Sequence, residues 1–176
     1  MRGAVLADGW CWMAVMAELP LHDRVGNVSV GLRSAADEPL EPLTARAAVP
    51  ASLVVVLCVG AVLMIFDSRR RQWELLGGMR EPGETPREAA ARELDEETGI
   101  RGVPLSLAAV AEFDLRRPER RESLAVYLAR LEFVPRLRAN DEALAFRWWL
   151  PSEPVSEDMS PLDAEIARRV VHSSSR

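Results

Sequence analysis

The sequence contains no lysine, so all 22 of its basic residues are arginine. Arginine recognises phosphates and carboxylates through a bidentate fork, but a complete lack of lysine is better explained by a GC-rich coding bias. Acidic residues outnumber basic ones by 27 to 22, which gives a formal net charge of −5. This balance argues against a nonspecific nucleic-acid binder, which usually carries a basic face.

Cysteine is scarce as well. Cys11 and Cys58 are the only two, and they form neither a metal-binding spacing nor a disulfide framework. Cys58 lies in an apolar segment, which is typical of a small buried residue. A reducing compartment is the expected setting for such a chain, so the sequence predicts a cytoplasmic protein.

Long apolar runs are rare. Residues 1–17 are mostly apolar, but Asp8 interrupts them and the fit to a signal peptide is poor. Residues 47–66 carry no charge over twenty positions, which matches the length of a transmembrane helix. Pro50 and Gly60 divide this stretch, however, and its valine-rich part is more typical of buried strands. We therefore expect strands here and no association with a membrane.

The chain divides into an N-terminal extension of unknown role, residues 1–50, and a main domain, residues 51–172. Within the extension, "NVSVGL" from Asn27 predicts an edge strand, and the acidic, proline-bearing "SAADEPLEPLT" predicts a linker. In the main domain, "LVVVLCV" from Leu53 predicts one strand and "AVLMIF" predicts a second strand or a continuation of the first.

The C-terminal half of the main domain also has clear strand and helix signals. The segments "LSLAAVAEFDL" and "SLAVYLARLEF" predict a β-hairpin whose turn, "RRPERRE", is rich in arginine. "LAFRWWL" predicts a further strand. A closing helix is expected after Ser160 and Pro161, with Leu162, Ile166 and Val170 on one face.

A helix is predicted over residues 86–98. Thr85 and Glu88 form a T-x-x-E capping box, and Pro86 fits the first helical position. Gly99 supplies the left-handed residue that commonly ends a helix.

This helix carries a concentrated acidic cluster. Residues 78–100 hold seven carboxylates and three arginines, which accounts for −4 of the net charge. Glu93, Glu96 and Glu97 share one helix face, where they repel one another. A hard divalent cation such as Mg²⁺ would relieve this repulsion, and Arg92 is close enough to brace a ligand carboxylate. On charge alone, a solvated acidic face is the more common explanation.

The spacing of the wider segment favours the metal site. From Gly78 to Ile100 the sequence fits the pattern G-x5-E-x7-R-E-U-x-E-E-x-G-U, where U is aliphatic, at all nine specified positions. The pattern resembles the signature of the Nudix (MutT-like) hydrolases. "WELLGGMREPGE" and "FRWWL" are also similar to segments of that family, and the resemblance covers roughly residues 53–170. Leu76 departs from it, since many relatives have proline there.

The resemblance implies an α/β fold, an α/β/α sandwich with a mixed sheet and a loop–helix–loop catalytic motif in residues 51–172. It implies hydrolysis of a nucleoside diphosphate linked to another moiety, with Mg²⁺ or Mn²⁺ as cofactor. Glu93 and Glu97 would be the principal metal ligands, and Glu96 a further ligand directly or through water. Glu84 would support the metal site, and Arg92 would orient the carboxylates.

The remaining candidate site residues lie partly outside the motif. Gly78 would let the backbone approach the substrate. The general base lies in the motif or on a separate loop, and Glu142 is favoured over Asp141 and Glu119. Trp73 is a candidate for stacking on a base and Arg116 for gripping phosphate, although core packing and a solvated turn are the common roles of such residues. Trp148 and Trp149 are adjacent on a strand and so face opposite sides.

The substrate class stays open at this stage. ADP-ribose, a nucleotide sugar and an oxidised or normal nucleoside triphosphate are all compatible with the motif, so the expected partner is a small nucleotide and not a nucleic acid. A noncatalytic Nudix module that binds a nucleotide effector is the alternative, but such modules typically lose motif carboxylates that this chain keeps. Whether the chain forms a homodimer is left open.

Overall fold

The computed structural model describes residues 18–34 and 48–175. Cys11 and all of the predicted linker except Ser34 lie outside the described residues. The described part contains nine strands and two helices, with these bounds: β1 Leu21–His22, β2 Val28–Ser34, β3 Ala48–Cys58, β4 Ala61–Asp67, β5 Trp73–Glu74, β6 Leu76–Met79, α1 Pro86–Thr98, β7 Leu105–Arg116, β8 Glu119–Leu131, β9 Ala143–Trp149 and α2 Pro161–Ser173.

The strands form one mixed sheet in the order β1-β2-β7-β8-β3-β4-β5. The pairing of β3 with β8 is parallel, and the other strand pairs are antiparallel. Two strands pair with the edge of β3 that faces away from β8. β6 pairs with Ala51–Val54, and β4 pairs with Leu57–Cys58. β9 joins the outer side of β4.

The two helices cover opposite faces of this sheet. Val55 and Leu57 of β3 belong to the core cluster that contains the apolar residues of α2. Val54 and Val56 belong to a second cluster, which contains Ala90 and Leu94 of α1. Since neighbouring residues of a strand point to opposite faces, the sheet lies between two helical layers. The predicted α/β/α sandwich with a mixed sheet is confirmed.

The N-terminal segment extends the same sheet. The predicted strand at "NVSVGL" is present as β2, which pairs with β7 along most of its length. It is not an edge strand, because β1 pairs on its outer side. The division between an extension and a main domain at residue 50 stays a prediction.

The uncharged stretch at residues 47–66 forms strands from Ala48 onwards, as predicted, and most of its apolar side chains from Leu53 on are buried. No helix in the described part of the chain is long and apolar enough to cross a membrane.

Candidate functional site

The acidic helix α1 begins and ends where its capping signals predict. The hydroxyl of Thr85 accepts a hydrogen bond from the backbone N–H of Glu88 at 3.2 Å, and the Glu88 carboxylate accepts one from the N–H of Thr85 at 2.8 Å. At the other end Gly99 has φ +76° and donates its N–H to the carbonyl of Asp95. These local contacts fix the helix start, so the positions of Glu93 and Glu97 on its face are fixed with it.

The double glycine in β6 brings the backbone against this helix face. A Cβ atom at position 78 would lie 2.3 Å from Oε1 of Glu93, and one at position 77 would lie 2.2 Å from the carbonyl oxygen of Ser52. A Cβ at position 77 would clash with the backbone of β3, and one at position 78 would displace the Glu93 carboxylate. Gly77 also donates its N–H to Oε2 of Glu97 at 3.0 Å. Both glycines are therefore required for the close approach of strand and helix carboxylates.

Glu93 and Glu97, one turn apart, are buried, with exposed fractions of 8% and 5%. Burial raises the pKa of Glu97 to about 8, against the opposing hydrogen bond from Gly77. The negative charges of Glu93, Glu74 and Glu142 raise this pKa further. Burial also raises the pKa of Glu93. A buried carboxylate is unfavourable in its charged form unless a cation neutralises it. Glu93 has Arg92 at 2.9 Å, so Glu97 is the member of the pair that most favours binding a further cation.

Arg92 links the remaining carboxylates of the motif. Its guanidinium donates to Glu84 at 3.0 Å, to Glu93 at 2.9 Å, to Glu96 at 2.8 Å and to the carbonyl of Met79 at 2.9 Å. These hydrogen bonds, the one to Glu84 foremost, raise the pKa of Arg92. Arg92 thus ties the entry loop to the helix and fixes the direction of the carboxylates around it.

The buried pair opens into a cleft of about 340 Å³. Besides Glu93 and Glu97, the cleft is lined by β6, by the β4–β5 turn and by the loop before β9. The lining residues are Asp67, Arg69, Arg70, Glu74, Gly77, Gly78, Met79, Glu93, Glu97 and Glu142.

Glu142 reaches this cleft through contacts that sequence reasoning missed. Asn140 donates its side-chain amide to the carbonyls of Glu96 and Glu97, both at 3.1 Å. The Asn140 side-chain oxygen accepts the N–H of Glu142 at 2.9 Å. The carbonyl of Glu142 accepts the N–H of Ser68 at 2.9 Å. This loop is therefore fastened both to the end of α1 and to the β4–β5 turn.

Three other residues at the cleft carry no motif signal in the sequence: Glu74, Arg69 and Arg70. Glu74 is buried and hydrogen-bonded to Arg70 at 2.7 Å, and burial raises its pKa. The hints in the sequence are that Glu74 lies within "WELLGGMREPGE" and that all three residues lie in "DSRRRQWE", which ends two residues before the glycine pair.

Other predicted site residues do not reach the cleft. Trp73 packs edge-on against Phe66, with ring centroids 5.2 Å apart, and contributes to the core on the α2 side. Arg116 and Glu119 line a separate pocket at the tip of the β7–β8 hairpin. Asp141 is not among the cleft residues. Substrate contacts by Trp73 and Arg116 stay predictions that this geometry does not favour.

The oxygen-rich donor set suits Mg²⁺ or Mn²⁺. Within residues 18–34 and 48–175, no three acidic, histidine or cysteine side chains are already grouped at metal-binding distances. The side chain of Glu96 is 52% exposed and pairs with Arg92. Glu93 and Glu97, buried and directed into the cleft, are the residues that fit a divalent cation, and Glu96 would join them by leaving Arg92.

Comparison with known proteins identifies the family. A model of the NUDIX domain matches residues 48–170, well over half of the 176 residues. The chain belongs to the NUDIX family, as its motif predicted.

Individual relatives are more distant. Over 85 residues the chain is 35% identical to an uncharacterized Nudix hydrolase of Rhodococcus erythropolis, a match that covers 45% of this chain and 46% of that protein. Over 59 residues it is 48% identical to an octanoyltransferase of Myxococcus xanthus, covering 31% of this chain and 16% of that protein. The chain therefore spans less than half the length of each of these curated relatives.

Among solved structures, a pyrophosphohydrolase of Bacillus subtilis is similar with a TM-score of 0.63 and 21% identity. The match covers 88% of this chain and 96% of that one. This likeness supports the sandwich fold described above.

Proposed function

We propose that the protein is a divalent-metal-dependent hydrolase that cleaves a pyrophosphate bond in a nucleoside diphosphate linked to another moiety. The observation that carries this proposal is the buried pair Glu93 and Glu97 at the base of the cleft, beside the glycine pair of β6. Arg92 pairs with Glu93, but the pKa values of both buried carboxyl groups are still raised, and a bound cation would stabilise their charged forms.

In this proposal Glu93 and Glu97 hold the metal, Mg²⁺ or Mn²⁺, and Glu96 is a further ligand. When bound, the metal supplies positive charge that offsets the charge of the pyrophosphate and activates water for attack. Arg92 keeps the carboxylates oriented, and Glu84 anchors Arg92 from the entry loop.

Glu142 is the proposed general base. Its carboxylate lines the same cleft as Glu93 and Glu97 and is about half exposed, so it has access to water. Asn140 holds its loop against the end of α1, which limits the distance that the carboxylate travels. A base positioned in this way removes the proton from water as the phosphorus–oxygen bond forms.

A substrate panel tests the proposal. Wild-type protein is incubated with Mg²⁺ or Mn²⁺ and with ADP-ribose, nucleotide sugars, NADH, dinucleoside polyphosphates and normal and oxidised nucleoside triphosphates, and the products are separated by chromatography. Glu97→Gln is expected to lower turnover by at least two orders of magnitude, since removing a metal ligand's charge removes transition-state stabilisation. Gln retains the size of the side chain and an oxygen for the Gly77 N–H.

Asp95→Asn is the matched control, since it removes a carboxylate from the same helix. Asp95 pairs with Arg101 at 2.6 Å on the outer side of α1. The activity of the Asp95→Asn variant should equal that of wild type. Loss of turnover in both variants, or in neither, would contradict the assigned metal site. If no compound of the panel is cleaved while nucleotides still bind, a noncatalytic binding module replaces the hydrolase.

A further inference from the structure

The β4–β5 turn is a rigid element at the mouth of the cleft. The carboxylate of Asp67 accepts the backbone N–H groups of Arg69 and Arg70. The N–H of Asp67 donates to the carbonyl of Gln72 at 3.0 Å, and that of Arg71 donates to the carbonyl of Asp67, also at 3.0 Å. The backbone of the turn is thus closed by its own hydrogen bonds, and the turn carries three consecutive arginines, Arg69, Arg70 and Arg71.

Two of these arginines face the cleft and the third does not. Arg69 and Arg70 are cleft-lining residues. Arg71 lies over the ring of Phe66, with its guanidinium carbon 5.2 Å from the ring centroid. The turn therefore divides its positive charge between the cleft and the outer surface.

A buried carboxylate orients Arg70. Glu74, almost fully buried, accepts a hydrogen bond from Nη1 of Arg70 at 2.7 Å and one from Nε2 of Gln72 at 3.2 Å. The side chain of Arg70 is still 68% exposed. Its guanidinium therefore keeps donors free to bind a ligand in the cleft. Arg69 lies on the same side, 3.5 Å from the carboxylate of Glu142.

The cleft needs such cations because its other charges repel the proposed substrate. Five carboxylates line it, those of Asp67, Glu74, Glu93, Glu97 and Glu142, and Arg69 and Arg70 are its only basic lining residues in the described chain. A diphosphate carries negative charge on both phosphates. The phosphate that is not held at Glu93 and Glu97 needs a separate cationic contact, and an arginine fork matches its oxygens.

We propose that Arg69 and Arg70, on the β4–β5 turn, form a phosphate-binding subsite for the diphosphate group of the substrate, and that Glu74 is the positioning residue that presents Arg70. The subsite rests on the proposed function for its role in turnover. Its binding chemistry is independent of cleavage.

ADP is the probe for this subsite. Binding of ADP in the presence of Mg²⁺ is measured by calorimetry for wild type, Arg69→Gln, Arg70→Gln and Arg71→Gln. The last variant is the matched control, because it removes the same charge from the same turn without touching the cleft. We expect the dissociation constant to rise about tenfold in Arg70→Gln, the effect of one lost charge-assisted hydrogen bond, to rise in Arg69→Gln and to stay unchanged in Arg71→Gln.

The positioning role of Glu74 is tested by combining its substitution with Arg70→Gln. Glu74→Gln should weaken ADP binding in wild type but add nothing in the Arg70→Gln background, because a positioning residue acts only through the group that it positions. An equal effect of Glu74→Gln in both backgrounds would assign it a merely structural role.

Equal dissociation constants for Arg70→Gln and Arg71→Gln would overturn the subsite, as would a wild type that does not bind ADP. The two proposals fail separately. Arginine-dependent ADP binding without cleavage of any substrate retains the subsite and refutes the hydrolase. Cleavage with an unchanged KM in Arg70→Gln retains the hydrolase and refutes the subsite.

Discussion

Without divalent cations the protein should lose stability as the pH rises from about 5 to 8, and Glu97 should be a main cause. An acid whose pKa is raised on folding stabilises the folded state fully below its unfolded pKa, and this contribution is lost as the pH rises through its folded pKa. For Glu97 these values are 4.5 and about 8. At ~1.4 kcal/mol per pH unit, the loss reaches roughly 5 kcal/mol.

Other carboxyl groups with raised pKa values also reduce stability as the pH rises. Burial raises the pKa values of Glu74 and Glu93, and that of Asp163 to about 7. The wild-type slope therefore contains several contributions, and only a difference between variants isolates Glu97. Glu97→Gln removes one titrating group and should flatten the dependence of stability on pH. Asp95→Asn should leave the slope above pH 5 unchanged.

The assay is urea unfolding followed by tryptophan fluorescence between pH 5 and 8.5 in EDTA. The free energy of unfolding of wild type should fall more steeply than that of Glu97→Gln over the whole interval. Added Mg²⁺ should restore wild-type stability most at high pH, where the carboxylates are charged, since a ligand stabilises the state that binds it. Parallel curves for wild type and Glu97→Gln would refute the reasoning that folding raises the pKa of Glu97.

Three further substitutions have defined outcomes. Gly78→Ala should lower kcat at least a hundredfold with the fold retained by circular dichroism, because its Cβ would displace the Glu93 carboxylate; wild-type kcat would contradict this. Asn140→Ala should lower kcat about tenfold, since it releases the Glu142 loop from α1; an effect on KM alone would instead indicate a substrate contact. Thr85→Ala should reduce the free energy of unfolding in urea by about 1 kcal/mol through loss of the helix cap, and kcat measured at saturating substrate should be unchanged.

The parts of the fold that sequence predicted are those specified by local signals. The start and end of α1 follow from Thr85, Pro86 and Gly99, all within one turn of the helix ends. The strands around Val54 and Met64 follow from continuous apolar runs, which a strand buried on both faces requires. The proximity of Glu93 and Glu97 follows from helical periodicity alone.

The rest of the site depends on contacts between distant segments. Asn140 reaches the end of α1 across more than forty residues, and no local pattern indicates that contact. Glu74 and Arg70 come to the cleft because β5 pairs with β4 and places their turn beside β6. Trp73, next to Glu74 on the same strand, is turned to the other side by the strand's alternation. Sheet register, which one sequence does not specify, decided these placements.

The shared edge of β3 has a consequence for how this enzyme fold varies. β4 and β6 pair with different parts of β3, and in the described part of the chain no residue of the segment that joins β4 to β5 pairs with β3. That segment, residues 67–72, closes on itself through the Asp67 hydrogen bonds. Insertions or charge changes there leave the sheet register and the acidic face of α1 untouched. In the two proposals made above, ligand preference and hydrolytic chemistry therefore depend on two different pieces of chain, the β4–β5 turn and α1.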